Sequence, residues 1–192
     1  MEEVRCFIAI TLPEEVKAGI SRLQAGLKSG AQFPVKWVDP YSIHLTLKFL
    51  GNVNVDMTRQ ITEAMVEAAQ GVSPFPLEIK GLGVFPNLRR VQVVWVGISG
   101  ETEKLLQLQK GIDSNLARLG FAPEERAFTP HLTLARVRDR ASPDEQQRLG
   151  QLIAGTKFEE GYTFNVSSIS LMKSQLTREG AIYSRISSVE LK

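Results

Sequence analysis

Hydrophobic positions along the chain switch between a period of two and a period near 3.6, which predicts strands and helices in turn. Residues 4–11 read as a strand with Val4, Cys6, Ile8 and Ile10 on one face. Pro13 heads a helix over residues 14–27 that turns Val16, Ile20, Leu23 and Leu27 to one side, and Gly30 ends it. Residues 35–38 form a short strand and residues 43–50 another, which Gly51 and Asn52 should stop. A helix over residues 56–69 then faces Ile61, Met65 and Ala68 inward. The second half opens with strands over 77–82 and 91–98 around the loop GVFPNLRR. A long helix over 101–119 buries Leu105, Leu108, Ile112, Leu116 and Leu119 and is closed by Gly120. A strand over 131–137 follows, Ser142 and Pro143 start a helix reaching residue 153, and strands over 164–172 and 181–189 complete the chain.

One word is repeated in this pattern. HLTL occurs at residues 44–47 and 131–134, 87 positions apart, and each copy lies on a predicted strand followed by a helix. The helices over 14–27 and 101–119 stand at a similar offset, so the chain reads as two pseudo-equivalent lobes. With 192 residues it is long enough for one substantial core, and the length favours a single structural domain.

Composition narrows the function classes. The chain is 43% apolar and 23% charged, as soluble globular proteins are, and it has no apolar run long enough to cross a bilayer. Glu2 and Glu3 stand where a secretory signal needs positive charge, so the expected location is the cytoplasm. Cys6 is the only cysteine; no internal disulfide is possible, and its strand pattern marks it as a buried structural thiol. A net charge of +2 falls short of the cationic stripe that holds a protein on duplex nucleic acid, and suits a small anionic ligand or an RNA end. Lys36, Lys48, Arg89, Arg90, Arg136, Arg138 and Arg140 lie near predicted strands, either as a solvated positive face or as binding groups.

The chain has only two histidines, His44 and His131, and each begins an HLTL word. Strand alternation puts His44, Thr46 and Lys48 on one face and Leu45, Leu47 and Phe49 on the other; likewise His131 and Thr133 oppose Leu132 and Leu134. Each word therefore presents an imidazole and a hydroxyl side by side over buried leucines. An imidazole titrates near pH 6.5, so one of a facing pair can accept a proton while the other donates one. That division suits in-line displacement at phosphorus, with the threonine hydroxyls donating to the phosphoryl oxygens. A metal site is the rival for paired histidines, but neither word carries a carboxylate or cysteine at ligand spacing. The sequence has neither a Gly-x-Ser-x-Gly elbow nor a phosphate-loop motif.

The stretches KWVDPYSIHLTLKFLG and FTPHLTLAR resemble the two His-x-Thr-x motifs of the two-histidine phosphoesterase family, nearest its RNA 2′,3′-cyclic phosphodiesterase branch, historically called 2′-5′ RNA ligase. VRCFIAITLP, GLGVFPNLRRVQVVWVGI and ISLMKSQLTREGAIYSRI resemble the opening strand, central hairpin and closing strands of that branch. The resemblance implies a bilobal α+β fold in which two pseudo-symmetric antiparallel sheets line a central cleft, with helices packed outside. It implies that His44 donates a proton to the leaving ribose oxygen, that His131 accepts one from water, and that a 2′,3′-cyclic phosphate is opened to a 2′-phosphomonoester without a metal or other cofactor. Thr46, Thr133 and Arg136 carry over as phosphate-binding residues, although strict alternation puts Arg136 on the leucine face, so that its role requires a bulge, a twist or the strand's end there. Tyr183 matches a family position and Lys48 shares the His44 face, making both possible substrate contacts. Trp37, Phe49, Phe85 and Tyr183 either offer a base-stacking surface or fill the core. The expected substrates are RNA ends or small cyclic nucleotides, handled by a monomer with no membrane or obligate protein partner. A binding module without turnover, or RNA ligation by the reverse chemistry, are the alternatives.

Overall fold

The computed structural model describes residues 2–30, 32–159 and 161–192. Among them the order is β1 (Glu3–Thr11), α1 (Glu14–Gly30), β2 (Val35–Trp37), β3 (His44–Asn54), α2 (Thr58–Ala69), β4 (Phe75–Phe85), β5 (Val93–Gly100), α3 (Thr102–Ala117), β6 (His131–Val137), α4 (Pro143–Gly155), β7 (Tyr162–Val166), β8 (Ser168–Leu176) and β9 (Ala181–Glu190). The strands form two antiparallel sheets, ordered β3-β1-β8-β9 and β2-β6-β5-β4-β7. These line a central cleft with the helices outside, the α+β architecture expected.

The helices cross over between the two halves. On the first sheet, α2 bonds β9 through Thr62 and Ser187 (2.8 Å), and α3 holds β3 through an Asp113–Lys48 pair. On the second, the ring of Tyr162 from β7 lies against Gly19 of α1, and Gly150 lets α4 approach the Leu88 carbonyl. A side chain at either glycine would collide there. Thus α1, which follows a strand of the first sheet, covers the second, and α3 does the converse. The α4 start carries the full capping box, with Ser142 and Glu145 each bonding the other's backbone N–H.

Two expectations need correction. Gly51 does not stop β3; at φ +72° it sits in a bulge where Cys6 pairs with Gly51 and Phe7 with Phe49, and the strand continues to Asn54. Residues 164–172 are not one strand. β7 ends at Val166 beside β4, whereas β8 starts at Ser168 beside β1, and the chain changes sheets at Ser167, whose carbonyl accepts from Leu191 N–H at 2.8 Å.

Leu45, Leu47, Leu132 and Leu134 are at most 3% exposed within a core that takes in both sheets. Burying each contributes about 1.5–3 kcal/mol, and a one-residue slip of β3 or β6 would turn both its leucines out and its imidazole in. The leucines therefore fix which way the histidines point.

Candidate active site

The strands that carry His44 and His131, β3 and β6, touch where the two sheets meet. Both strands bulge at the same place. In the β1–β3 ladder Ala9 pairs with Thr46 and Ile8 with Lys48, leaving Leu47 unpaired. In the β5–β6 ladder Trp95 pairs with Thr133 and Val94 with Ala135, leaving Leu134 unpaired. Each bulge reverses the alternation. Lys48 and Ala135 turn to the helix side, while Phe49 and Arg136 return to the open face that carries the histidine. The bulge thus supplies what a role for Arg136 required.

Each bulge is pinned from the helix behind it. Gln24 of α1, 1% exposed, donates from Nε2 to the Leu134 carbonyl (3.1 Å) and the Val38 carbonyl (2.8 Å), and Val38 N–H donates to the same Leu134 oxygen (2.9 Å). At the β3 bulge, Lys48 Nζ donates to Asp113 Oδ1 and to the Ala122 carbonyl (2.7 Å). Asp113 in turn accepts from Glu124 N–H at 3.1 and 3.2 Å, tying down the loop ahead of β6. Lys48 is therefore a structural cation on the helix side, which corrects its placement among the substrate contacts.

The two imidazoles have matching surroundings. His44 Nδ1 lies 2.9 Å from the Ser42 carbonyl and His131 Nδ1 lies 2.6 Å from the Thr129 carbonyl. A carbonyl only accepts, so Nδ1 carries the proton in both rings, and Nε2 is left as the bare nitrogen of each neutral imidazole. This orientation by a fixed acceptor is how proton-transfer histidines are held in one tautomer. His44 stacks on Phe7 (centroids 4.5 Å apart, 27°) and meets the edge of Tyr183 (5.0 Å, 87°). His131 meets Phe85 edge-on (5.0 Å, 88°) and lies 6.3 Å from Trp95. Burial under these rings pushes the His44 pKa below the usual 6.5, only partly opposed by its bond to Ser42.

The remaining expected residues separate cleanly. Thr46 and Thr133 are half-buried on the open faces beside their histidines, and Arg136 is exposed on that of the second sheet, paired across the ladder with Lys36. Tyr183 and Phe85 stand against the imidazoles. Phe49 lies on the His44 side, 69% exposed and 6.1 Å from Phe7, rather than with the leucines. Trp37 faces α1, with Lys28 over its ring, and is a packing residue. Reading the sequence missed Phe7 and Trp95, although each is a large ring on the side of its strand opposite the aliphatic row (Ile8 and Ile10; Val94 and Val96). It also missed Gln24, which has no motif. No group of three or more metal-ligating side chains occurs among the described residues.

The model of the LigT-like phosphoesterase family matches the chain twice, over residues 10–95 and 96–183, so the repeat of the HLTL words is a repeat of the whole half. An RNA 2′,3′-cyclic phosphodiesterase of Methanothermobacter thermautotrophicus is 39% identical over 181 residues, covering 94% of this chain and 95% of that protein. One of Methanocaldococcus jannaschii is 33% identical over 180 residues, covering 94% and 96%. Among solved structures, E. coli LigT complexed with 3′-AMP superposes with a TM-score of 0.80 at 26% identity and 99% coverage of both chains. With both halves matched and these relatives aligned almost end to end, the chain belongs to the LigT-like phosphoesterase family.

Proposed function

We propose that this chain hydrolyses 2′,3′-cyclic phosphates at RNA ends to 2′-phosphomonoesters, with His44 and His131 acting on one phosphorus from two sides. The observation that carries the reading is the duplicated device. Each half presents an imidazole whose Nδ1–H is held by the carbonyl two residues upstream, whose Nε2 is bare, and whose strand adjoins its counterpart. The relatives named as RNA 2′,3′-cyclic phosphodiesterases support the same activity.

In this mechanism His131 Nε2 takes a proton from water as its oxygen attacks phosphorus, the bond from phosphorus to the 3′ oxygen breaks, and protonated His44 delivers its Nε2 proton to that oxygen. Thr46, Thr133 and Arg136 donate to the non-bridging oxygens, where charge accumulates. Burial favours neutral His44, and the arriving phosphate anion favours the cation that the donor role needs. Tyr183 and Phe85 hold the two rings in place. We take residues 1–192 as one bilobal catalytic domain, a cytoplasmic monomer that needs no metal, cofactor or obligate partner. No helix among the described residues is long and apolar enough to cross a membrane.

The test is to incubate the protein with an oligoribonucleotide ending in a 2′,3′-cyclic phosphate, in the presence of a chelator, and to locate the product phosphate by ³¹P NMR. A 2′-phosphomonoester is expected. A 3′-phosphomonoester, or turnover that only zinc restores, would overturn the mechanism, and tight binding without turnover would make this a binding module.

A further inference from the structure

A cavity of about 620 Å³ opens beside the His131 end of the site, lined by Gly83, Val84, Asn87, Leu88, Arg89 and Trp95. It is not a separate feature of the surface. Trp95, which forms one wall, is the ring 6.3 Å from His131, and Phe85, edge-on to His131, is 5.2 Å from Trp95. The indole lies across Gly83, where any side chain would collide with it, so this glycine keeps the wall flat. Its Nε1–H has no acceptor among the described residues, so ring contacts alone hold it. The cavity is an open, apolar depression rather than an enclosed pocket, and an indole in its wall is the surface on which single-stranded nucleic acid stacks a base.

Charge at the same end of the second sheet names the occupant. Arg136 pairs across β6 with Lys36 on one side and Val93 on the other. Val137 N–H bonds the Gln92 carbonyl and Arg138 N–H the Pro34 carbonyl, which brings the end of β6 beside the loop carrying Arg89 and Arg90. Asn87 Oδ1 accepts from the N–H groups of both those arginines and sets the loop's shape. Lys36, Arg89, Arg90, Arg136 and Arg138 are all exposed, and none pairs with a carboxylate among the described residues. Arg89 in the lining, with four more unneutralised cations at the same end of the sheet, fits a polyanion that also carries flat rings.

We infer that this cavity and its rim take a nucleotide upstream of the cyclic-phosphate end, so that the enzyme selects single-stranded RNA ends over cyclic mononucleotides. The inference rests on the phosphodiesterase reading, which puts the terminal ribose on the His44 side of the phosphorus, so that the strand crosses the site to reach Trp95 beside His131. The base enters against Trp95, while Arg89 and Arg90 meet a phosphate of the same strand.

The experiment has two arms. In the first, kcat/KM is compared for a 2′,3′-cyclic mononucleotide and for a trinucleotide ending in the same group, in wild-type protein and in an Arg89→Ala, Arg90→Ala variant. Wild type should favour the trinucleotide by roughly 5- to 150-fold, the range that one stacked base supplies, and the variant, which keeps Trp95 but loses the phosphate contact, should lower that ratio. Equal values in wild type, or an unchanged ratio in the variant, would overturn the inference. In the second arm, anisotropy of a 5′-labelled RNA pentamer ending in a 3′-phosphate reports binding without turnover. Its log Kd against log salt should become shallower in the variant, by about 0.7 for each phosphate that the arginines no longer neutralise, and an unchanged slope would also overturn the inference. Loss of turnover on every substrate with this slope difference intact would instead strike the phosphodiesterase reading and leave the subsite standing.

Discussion

Replacing Lys48 with alanine should unfold the protein more easily and leave the chemistry of the folded fraction alone. Lys48 is 8% exposed, and its Nζ meets Asp113 and the Ala122 carbonyl. Removing one member of a buried ion pair costs about 3–5 kcal/mol, because the other is left as an uncompensated charge. Asp113 keeps its two hydrogen bonds from Glu124 N–H and is partly open to water, so the low end, about 3 kcal/mol, applies. With a urea m-value of about 2–3 kcal/mol/M, the midpoint should fall by about 1–1.5 M, and Tm by about 6–12 °C. A Lys48→Met, Asp113→Asn variant should recover part of the loss, since no bare charge remains inside. The assay is urea denaturation followed by fluorescence, with kcat/KM on a cyclic-phosphate oligonucleotide measured well below the transition. An unshifted midpoint together with a tenfold fall in kcat/KM would refute the assignment and return Lys48 to the substrate.

Other outcomes follow from the same geometry. Gln24→Leu should lower kcat/KM through Arg136, with little further effect in an Arg136→Ala background; Gln24→Glu should not rescue it, because the bulge needs a donor, and additive losses would count against this coupling. The two histidines give separable NMR signals, and His44 should titrate below pH 6.5, moving up towards that value in Tyr183→Ala as water reaches the ring. Since the folded pKa is the lowered one, the unfolded chain binds the proton first as pH falls. Stability should therefore decline between pH 6.5 and the folded pKa and level off below it, as pH-dependent denaturation would record.

The strands and helices were legible because alternation and helical spacing report burial directly, and the repeated HLTL words located both histidines. What strict alternation could not give was the bulge after each word, and with it the sides of Lys48, Phe49 and Arg136. A bulge changes the count of residues between two ladder bonds without changing the composition, so the run HLTLKF reads equally well as a straight strand. The crossing at Ser167 left a fainter trace. Buried positions shift from Phe164 and Val166 to Ile169 and Leu171, a break in parity that marks where one strand ends and another begins. Gln24 was beyond reach, because its hydrogen bonds are to carbonyls 14 and 110 residues away and depend only on how α1 lies on the second sheet.

The most direct measurement is the single-turnover rate on a 2′,3′-cyclic-phosphate oligonucleotide for wild type, His44→Ala and His131→Ala, each first shown to be folded. If the two imidazoles share one phosphorus, either change alone should slow the reaction by roughly 10²- to 10⁴-fold. A wild-type rate in either variant would mean that the two halves of the molecule do not meet over a common substrate.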